Sequence, residues 1–312
     1  MTTNIELAAK IIKSGGIVAF PTETVYGLGA DAGNEEACLK IFAIKNRPRI
    51  NPLIVHVRNL DQAQSIGKFS QIAEKLAANF WPGPLSIVVP LKKTAAISRS
   101  VTAGLDTVAL RIPAHKIALQ LLEKSRCPIA APSANPAGYI SATTYQHVQE
   151  HFLTKEIFIL ESNGKCEYGI ESTIIDMTSN SPVLLRLGFI TAEAIESVLN
   201  KKLQLLTSTT NIKAPGMMDK HYSPKVPIRL NAKNLQQAEI GLNYADSKLI
   251  GNYSLNLSMG GDLIEAAANL YLMLRMLDRY AVDNKIKCIA ISAIPKTGIG
   301  LAINDRLNRA AT

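Results

Sequence analysis

Three cations stand on one short turn in Lys45-Asn46-Arg47-Pro48-Arg49-Ile50-Asn51-Pro52-Leu53-Ile54-Val55-His56. Between residues 40 and 58 there are five Lys/Arg and no Asp or Glu. The two prolines fix φ and bias the residues before them towards extended backbone, so the turn is stiff. An apolar strand over residues 53–57 follows at once and anchors the charges beside a core. Such a turn suits a polyanion, a nucleoside triphosphate or an RNA backbone. The ordinary alternative is a solvated loop joining a helix to a strand. Arg111 raises a similar choice. It lies in an apolar strand over residues 108–112, just after Thr107, where it is costly unless paired by a protein carboxylate or a bound anion. Two further stretches, Pro21-Thr22-Glu23-Thr24-Val25-Tyr26-Gly27-Leu28-Gly29 and Pro132-Ser133-Ala134-Asn135-Pro136-Ala137-Gly138, each follow a short apolar strand. Loops of that kind present hydroxyls and backbone N–H groups to a ligand.

Other chemistries find less support. No G-x-x-x-x-G-K-[ST] occurs, which excludes a P-loop. Gly298-Ile299-Gly300 follows a strand and opens a helix but lacks the rest of a dinucleotide fingerprint, so a helix-opening turn is the default. His147-Val148-Gln149-Glu150-His151 matches H-x-x-E-H without an evident third metal ligand. Ser133 is not in a G-x-S-x-G elbow. What remains is cations, hydroxyls and loops, the inventory for holding phosphates, where positioning and charge stabilisation carry catalysis.

The elements that must position these groups read as follows. Helices are expected over residues 4–14, 34–46 (capped by Asn34), from Ser70 to the break Trp81-Pro82-Gly83-Pro84, and over 114–125 and 191–200. Strands are expected over 17–20, 53–57, 85–89, 108–112, 129–131, 157–160, 172–177 and 183–187. Strands and helices mix without strict alternation, which implies an α/β unit on a mixed sheet over residues 1–203. From residue 204 to 227 the pattern breaks into a linker holding Ala214-Pro215-Gly216-Met217-Met218 and His221-Tyr222-Ser223-Pro224. An idle tether has little use for an adjacent His and Tyr, so this segment is expected to fold back over the site as a lid. Residues 228–312 read as a small Rossmann-like α/β unit with a long helix over 263–280.

With 312 residues, 47% apolar and 19% charged, the chain is long enough for two cores. Its four cysteines form no C-x-x-C pair and read as reduced thiols of a cytoplasmic protein. The N-terminus reads as an amphipathic helix and not a signal peptide, and no apolar run approaches the roughly 20 residues of a membrane span. Residues 1–200 hold 19 Lys/Arg against 17 Asp/Glu, while residues 201–312 hold 15 against 8. The balanced first part argues against an RNA-coating surface, and the basic remainder leaves room for weak or steering contact with an acidic partner.

Taken together, P-T-E-T-V-Y-G-L-G at Pro21, K-N-R-P-R-I-N-P-L-I-V-H at Lys45, F-W-P-G-P-L-S at Phe80, A-L-R-I-P at Ala109, P-S-A-N at Pro132 and G-I-E-S-T-I at Gly169 resemble the threonylcarbamoyl-AMP synthases, the YrdC-like family. A-P-G-M-M-D-K-H-Y-S-P and G-I-G-L-A-I-N-D-R-L look like its two-domain branch. The resemblance implies a YrdC-like twisted mixed sheet and a reaction of L-threonine, bicarbonate or CO2, and ATP that gives threonylcarbamoyl-AMP and pyrophosphate. It further implies Mg²⁺ on the phosphates, with no protein ligands for it assignable. A separate tRNA threonylcarbamoyl transferase would use the product on tRNAs that read ANN codons. Carried over residue by residue, Thr24, His56, Arg111 and Ser172 would contact threonine. Lys45, Arg47, Asn51, Thr107, Ser133, Asn135, Ser141, Arg186 and Tyr222 would hold the nucleotide, with Lys45, Arg47 and Arg111 closest to the chemistry. Leu185 and Ala137 stand where the family usually has proline and serine. The related carbamoyl-transfer module of hydrogenase maturation carries zinc-finger cysteines and an acylphosphatase region that do not occur here.

Overall fold

The computed structural model describes residues 2–152, 157–179, 181–205 and 221–311. The chain opens with α1 (Thr2–Lys13), β1 (Ile17–Phe20), β2 (Gly27–Asp31), α2 (Glu35–Lys45) and β3 (Ile54–His56). α2 starts where the Asn34 side chain accepts from the Ala37 N–H at 3.0 Å, and ends where Asn46 turns left-handed at φ 52°. That stop releases the cationic turn directly beside β3. Next come α3 (Leu60–Ile66), α4 (Gln71–Phe80), β4 (Leu85–Pro90), the single turn α5 (Arg99–Thr102), β5 (Thr107–Arg111) and α6 (Lys116–Ser125). Ser70 caps α4 by accepting from Ala73 N–H, and Trp81 closes it, its Nε1 donating to the Leu85 carbonyl at 2.7 Å. β6 (Ile129–Ala130), α7 (Tyr145–Phe152), β7 (Ile157–Ile159), β8 (Thr173–Asp176), β9 (Val183–Arg186), α8 (Ala192–Leu199) and β10 (Gln204–Leu205) complete this part.

Its strands form one mixed sheet in the order β10-β9-β8-β4-β5-β3-β6-β2-β1-β7. In β3 and β5 the period-2 alternation sorts the side chains. Val55 and Leu110 join the main core under the helices, while Ile54, His56 and Arg111 face the other side, with His56 directly opposite Arg111. One expectation fails here. Pro21 to Gly29 is not all loop, because Gly27–Asp31 pairs as β2 between β1 and β6. A Cβ on Gly29 would lie 2.7 Å from both the Phe20 ring and Ile129, so glycine lets the ring pack across the strand.

The second part holds β11 (Ile228–Arg229), β12 (Glu239–Asn243), β13 (Ser254–Asn256), α9 (Leu263–Asp283), β14 (Cys288–Ile291) and α10 (Ile299–Ala310). Its sheet, in the order β11-β14-β12-β13, is wholly parallel, as a Rossmann-like unit requires. Gly298 opens α10 at φ 50°, and Asn304 braces that turn by donating to the carbonyls of Ile294 and Gly300. The Gly-Ile-Gly is thus a helix-opening turn. Among the described residues no helix is long and apolar enough to cross a membrane.

A polar stripe of α9 forms part of the contact by which the second part docks on the first. Tyr271, Arg275 and Asp278, spaced i, i+4, i+7, share a helix face. Tyr271 Oη donates to Glu171 at 2.9 Å, and Arg275 donates to the carbonyls of Ile140 (2.6 Å) and Ser141 (3.2 Å). Asp278 accepts from Tyr139 Oη (2.6 Å) and Lys225 N–H (2.7 Å). Around the stripe, Val25, Ile140, Ile170 and Tyr222 merge with Leu270, Leu274 and Ile303 into one core. The H-x-x-E-H motif is used up in this contact. His151 Nε2 lies 2.9 Å from Arg275 Nη1 and Glu150 lies 3.6 Å from the same guanidinium, a charge arrangement hostile to a cation. Among the described residues no group of three His, Cys, Asp or Glu is placed to hold a metal.

Gly169 lies where the first part packs closely on the α9 backbone. It sits at φ +68°, and a Cβ there would lie 2.6 Å from Ala267 O and Ala268 Cα of α9. Gly169→Ala is expected to destabilise the protein by at least about 2 kcal/mol, from left-handed strain and from the clash together. Urea unfolding checks this; an unchanged midpoint would mean the loop does not pack on α9.

Candidate active site

Arg47, Arg111 and Arg186 converge on one cavity of about 50 Å³ that lies over the face carrying Ile54 and His56. They are 9%, 3% and 7% exposed, so nearly all of their charge is out of water. Each is aimed by carbonyls. Arg47 donates to the carbonyls of Asn51 (3.3 Å) and Pro52 (3.1 Å), which is how the two-proline turn fixes it. Arg111 Nε donates to Gly83 O at 3.1 Å, and Arg186 Nε donates to Ser172 O at 3.0 Å. Hydroxyls stand between them. Thr24 Oγ1 takes a hydrogen bond from Arg111 Nη1 (3.1 Å) and lies 2.8 Å from Thr22 Oγ1. Ser172 Oγ accepts from Arg186 Nη2 at 3.1 Å and meets Ser86 Oγ at 2.8 Å.

Two buried carboxylates offset part of this charge. Glu23 Oε1 pairs with Arg111 Nη2 at 2.6 Å, which makes it the protein partner that sequence left as one of two options for Arg111. Glu171 lines the cavity and accepts from Ser141 Oγ (2.5 Å), Tyr271 Oη (2.9 Å) and Arg306 Nε (3.0 Å). Burial alone would raise the Glu171 carboxyl, but the guanidiniums of Arg306 and Arg186 outweigh it and hold it at about 2. Burial pushes Arg47 down to about 10. His56, buried and beside Arg111, is pushed down to about 3, and burial takes His221 to about 3 as well. Both histidines are therefore neutral, and among the described residues neither has a hydrogen-bond partner on Nδ1.

His221 and Tyr222 close the cavity from the second part's side. Tyr222 holds φ +66°, a strained conformation for an aromatic residue, and is 1% exposed. Its ring stacks on Tyr271 with centroids 5.6 Å apart, and Arg306 Cζ lies 5.3 Å from the ring centroid. Among the described residues the Tyr222 hydroxyl has no hydrogen-bond partner. Residues 206–220 of the expected linker, with Ala214 to Met218, lie outside the described residues. A second hollow of about 490 Å³ shares Arg47 and His221 with the cavity and is lined also by Asn51, Gly138 and Tyr139.

Of the residues expected at the site, Thr24, Arg47, His56, Arg111, Ser133, Ser172, Arg186 and Tyr222 line the cavity, and Asn51 lines the adjoining hollow. Four stand elsewhere. Lys45 Nζ donates to Ser133 O (2.6 Å) and Asn135 O, so it braces the P-S-A-N loop from behind, and burial and Arg47 hold its ammonium well below the ordinary lysine range. Asn135 donates to the carbonyls of Pro136 and Tyr139 at 2.9 Å and shapes the same loop. Ser141 is turned to Glu171. Thr107 begins β5, four residues and roughly 13 Å from Arg111, at the strand end away from the cavity. Sequence reasoning missed Glu23 and Glu171 as site residues, whereas His221 lines the cavity beside Tyr222, where the expected lid would put it. Charge balance was the available signal, because each acid is followed by a hydroxyl residue, Thr24 or Ser172, in a motif already singled out.

Two family profiles match the chain. Residues 10–188 match one described as Telomere recombination (Sua5_yciO_yrdC), and residues 190–312 match the Threonylcarbamoyl-AMP synthase, C-terminal domain. The chain is 41% identical over 325 residues to a threonylcarbamoyl-AMP synthase of Pyrococcus abyssi, covering 98% of this chain and 94% of that protein. It is 39% identical over 326 residues to a threonylcarbamoyl-AMP synthase of Bacillus subtilis, covering 98% and 92%. Its fold matches a crystal structure of P. abyssi Sua5 complexed with L-threonine, with TM-score 0.90, 38% identity, and 100% and 95% of the two chains covered.

The neutral histidines make stability depend on pH. Unfolded histidine titrates near 6.5, whereas folded His221 does so at about 3. Over that window the unfolded chain binds a proton that the folded chain refuses. This part of the stability is complete above about pH 6.5 and declines as pH falls, by about 1.4 kcal/mol per pH unit for each such histidine. His221→Gln is expected to lower the slope of unfolding free energy against pH by up to that amount between about pH 6 and 4. Equal slopes for the two proteins would contradict a buried neutral His221.

Proposed function

The chain belongs to the threonylcarbamoyl-AMP synthase family, and on that premise we propose how its cavity joins L-threonine, bicarbonate or CO2, and ATP into threonylcarbamoyl-AMP and pyrophosphate. The observation that carries the reading is the convergence of three buried guanidiniums and a row of hydroxyls on one cavity walled by His221 and Tyr222. Two anions, a threonine carbamate and a triphosphate, must be brought together despite their repulsion, and this arrangement offsets it.

Thr24, His56, Arg111 and Ser172 form the threonine side. Arg111 keeps Glu23 as its protein partner and still faces the cavity, so it can offer remaining N–H groups to the amino-acid carboxylate. Arg47, Ser133 and Arg186 form the phosphate side, and the hollow beside Arg47 and Asn51 takes the nucleoside. Threonine's amino group adds to CO2 and loses a proton to become a carbamate. A carbamate oxygen then bonds to the α-phosphorus, and the bond from that phosphorus to the β-phosphate oxygen breaks, releasing pyrophosphate. The guanidiniums spread and neutralise the charge that builds on the phosphoryl oxygens. Both histidines of the cavity are held neutral by burial, so its work is positioning and charge stabilisation. Lys45, Asn135 and Ser141 support this from behind the wall.

A space of about 50 Å³ is small beside the roughly 300–1,000 Å³ of ligand pockets. Substrates therefore need His221 and Tyr222 to swing aside and return, and the return would keep water from the labile adenylate. Mg²⁺ would arrive with the triphosphate and share in neutralising it, since Glu171 and Glu23 are committed to Arg306 and Arg111. Passage of the adenylate to a separate tRNA threonylcarbamoyl transferase in the cytoplasm, and weak tRNA contact through the basic second part, complete the reading.

Pyrophosphate release from ATP and bicarbonate, with and without L-threonine, tests it. Release that requires threonine, with threonylcarbamoyl-AMP detected by mass, is the expected result. Release indifferent to threonine would contradict it.

A further inference from the structure

Arg306 stands on α10 of the second part and is 1% exposed. A guanidinium so deep must spend its donors on fixed partners. Nε reaches Glu171 (3.0 Å), Nη2 donates to the Leu187 carbonyl (2.7 Å), and Nη1 pairs with Asp305 (2.6 Å). The first two partners flank the cavity strands. Glu171 immediately precedes Ser172, and Leu187 immediately follows Arg186, while Arg186 itself holds Ser172 through three hydrogen bonds. The same guanidinium lies over the Tyr222 ring. One side chain of the second part thus grips both ends of the Ser172–Arg186 pair and the aromatic wall opposite.

We propose that Arg306 is a positioning residue of the synthesis, acting through Glu171, Leu187 and Tyr222 to hold Ser172, Arg186 and the cavity wall in register. The proposal rests on the function given to the cavity above. A purely structural link would not need this group, because buried ion pairs can often be replaced by apolar side chains without loss of stability. Three directed bonds and a stacked ring fix geometry in a way that packing alone does not. The groups facing Glu171 are Arg306 from α10, Tyr271 from α9, Arg186 from β9, Ser141, and the His221–Tyr222 pair. Of the cations, Arg306 does most to keep the carboxyl ionised against burial.

The full chain carrying Arg306→Met or Arg306→Lys tests this by thermal unfolding and by pyrophosphate release against pH, threonine and ATP. Arg306→Met is expected to fold, to lose at least about tenfold in kcat/KM, and to shift the acid limb of the pH profile upward as Glu171 becomes easier to protonate. Arg306→Lys restores a cation beside Glu171 and returns the acid limb, yet keeps a reduced kcat/KM, because an ammonium cannot span Glu171, Leu187 and the Tyr222 ring. Wild-type kcat/KM and pH profile in the Met variant, or a loss matching only its unfolded fraction, would overturn the proposal. Should Arg306→Met not fold, normal kcat/KM in Arg306→Lys would overturn it equally. Wild-type protein without threonine-dependent release would instead overturn the function beneath it.

Discussion

Everything about the site follows from gathering positive charge where water is scarce. Arg47, Arg111 and Arg186 face one cavity, and Lys45 lies just behind it, against the two carboxylates Glu23 and Glu171. An excess of buried cation is costly unless oxygen atoms surround it. The fold supplies them as carbonyls of Gly83, Asn51, Pro52, Ser172, Ser133 and Asn135, each at a strand end, turn or loop. Those carbonyls orient the cations without neutralising them. The remaining attraction is directed at an anionic ligand, while burial, helped by the nearby cations, keeps His56 and His221 neutral.

The second part of the chain belongs to that site as much as the first. Glu171 would be a buried acid with too few donors if Tyr271 and Arg306 were absent. Tyr222 would have neither the ring it stacks on nor the guanidinium above it. The strained φ of Tyr222 persists because those contacts over-determine its position. The small parallel sheet therefore serves the reaction by carrying α9 and α10 to the cavity.

Much of this was legible in the residues. Asn34 and Ser70 cap the helices expected of them, the two prolines stiffen the turn that carries Arg47, and alternation in Ile54-Val55-His56 separates core from cavity. The illegible parts depend on contacts between distant segments. Nothing local in Gly27–Asp31 announces a central strand, because its glycines matter only once Phe20 packs across them. Glu23 and Glu171 look like ordinary polar residues until Arg111 and Arg306 arrive from elsewhere in the chain. Lys45 looked like a ligand cation by resemblance, and only the return of the P-S-A-N loop shows what it holds.

The central claim, that rigidly aimed cations make the site, is tested most directly by pyrophosphate release from Arg47→Ala, with folding checked by circular dichroism. Asn51 O and Pro52 O aim this guanidinium, and no other side chain of the turn lines the cavity. The account predicts a folded protein whose turnover falls by about 10²-fold or more. Near-normal turnover in a folded Arg47→Ala protein would contradict it and return the cationic turn to an ordinary surface loop.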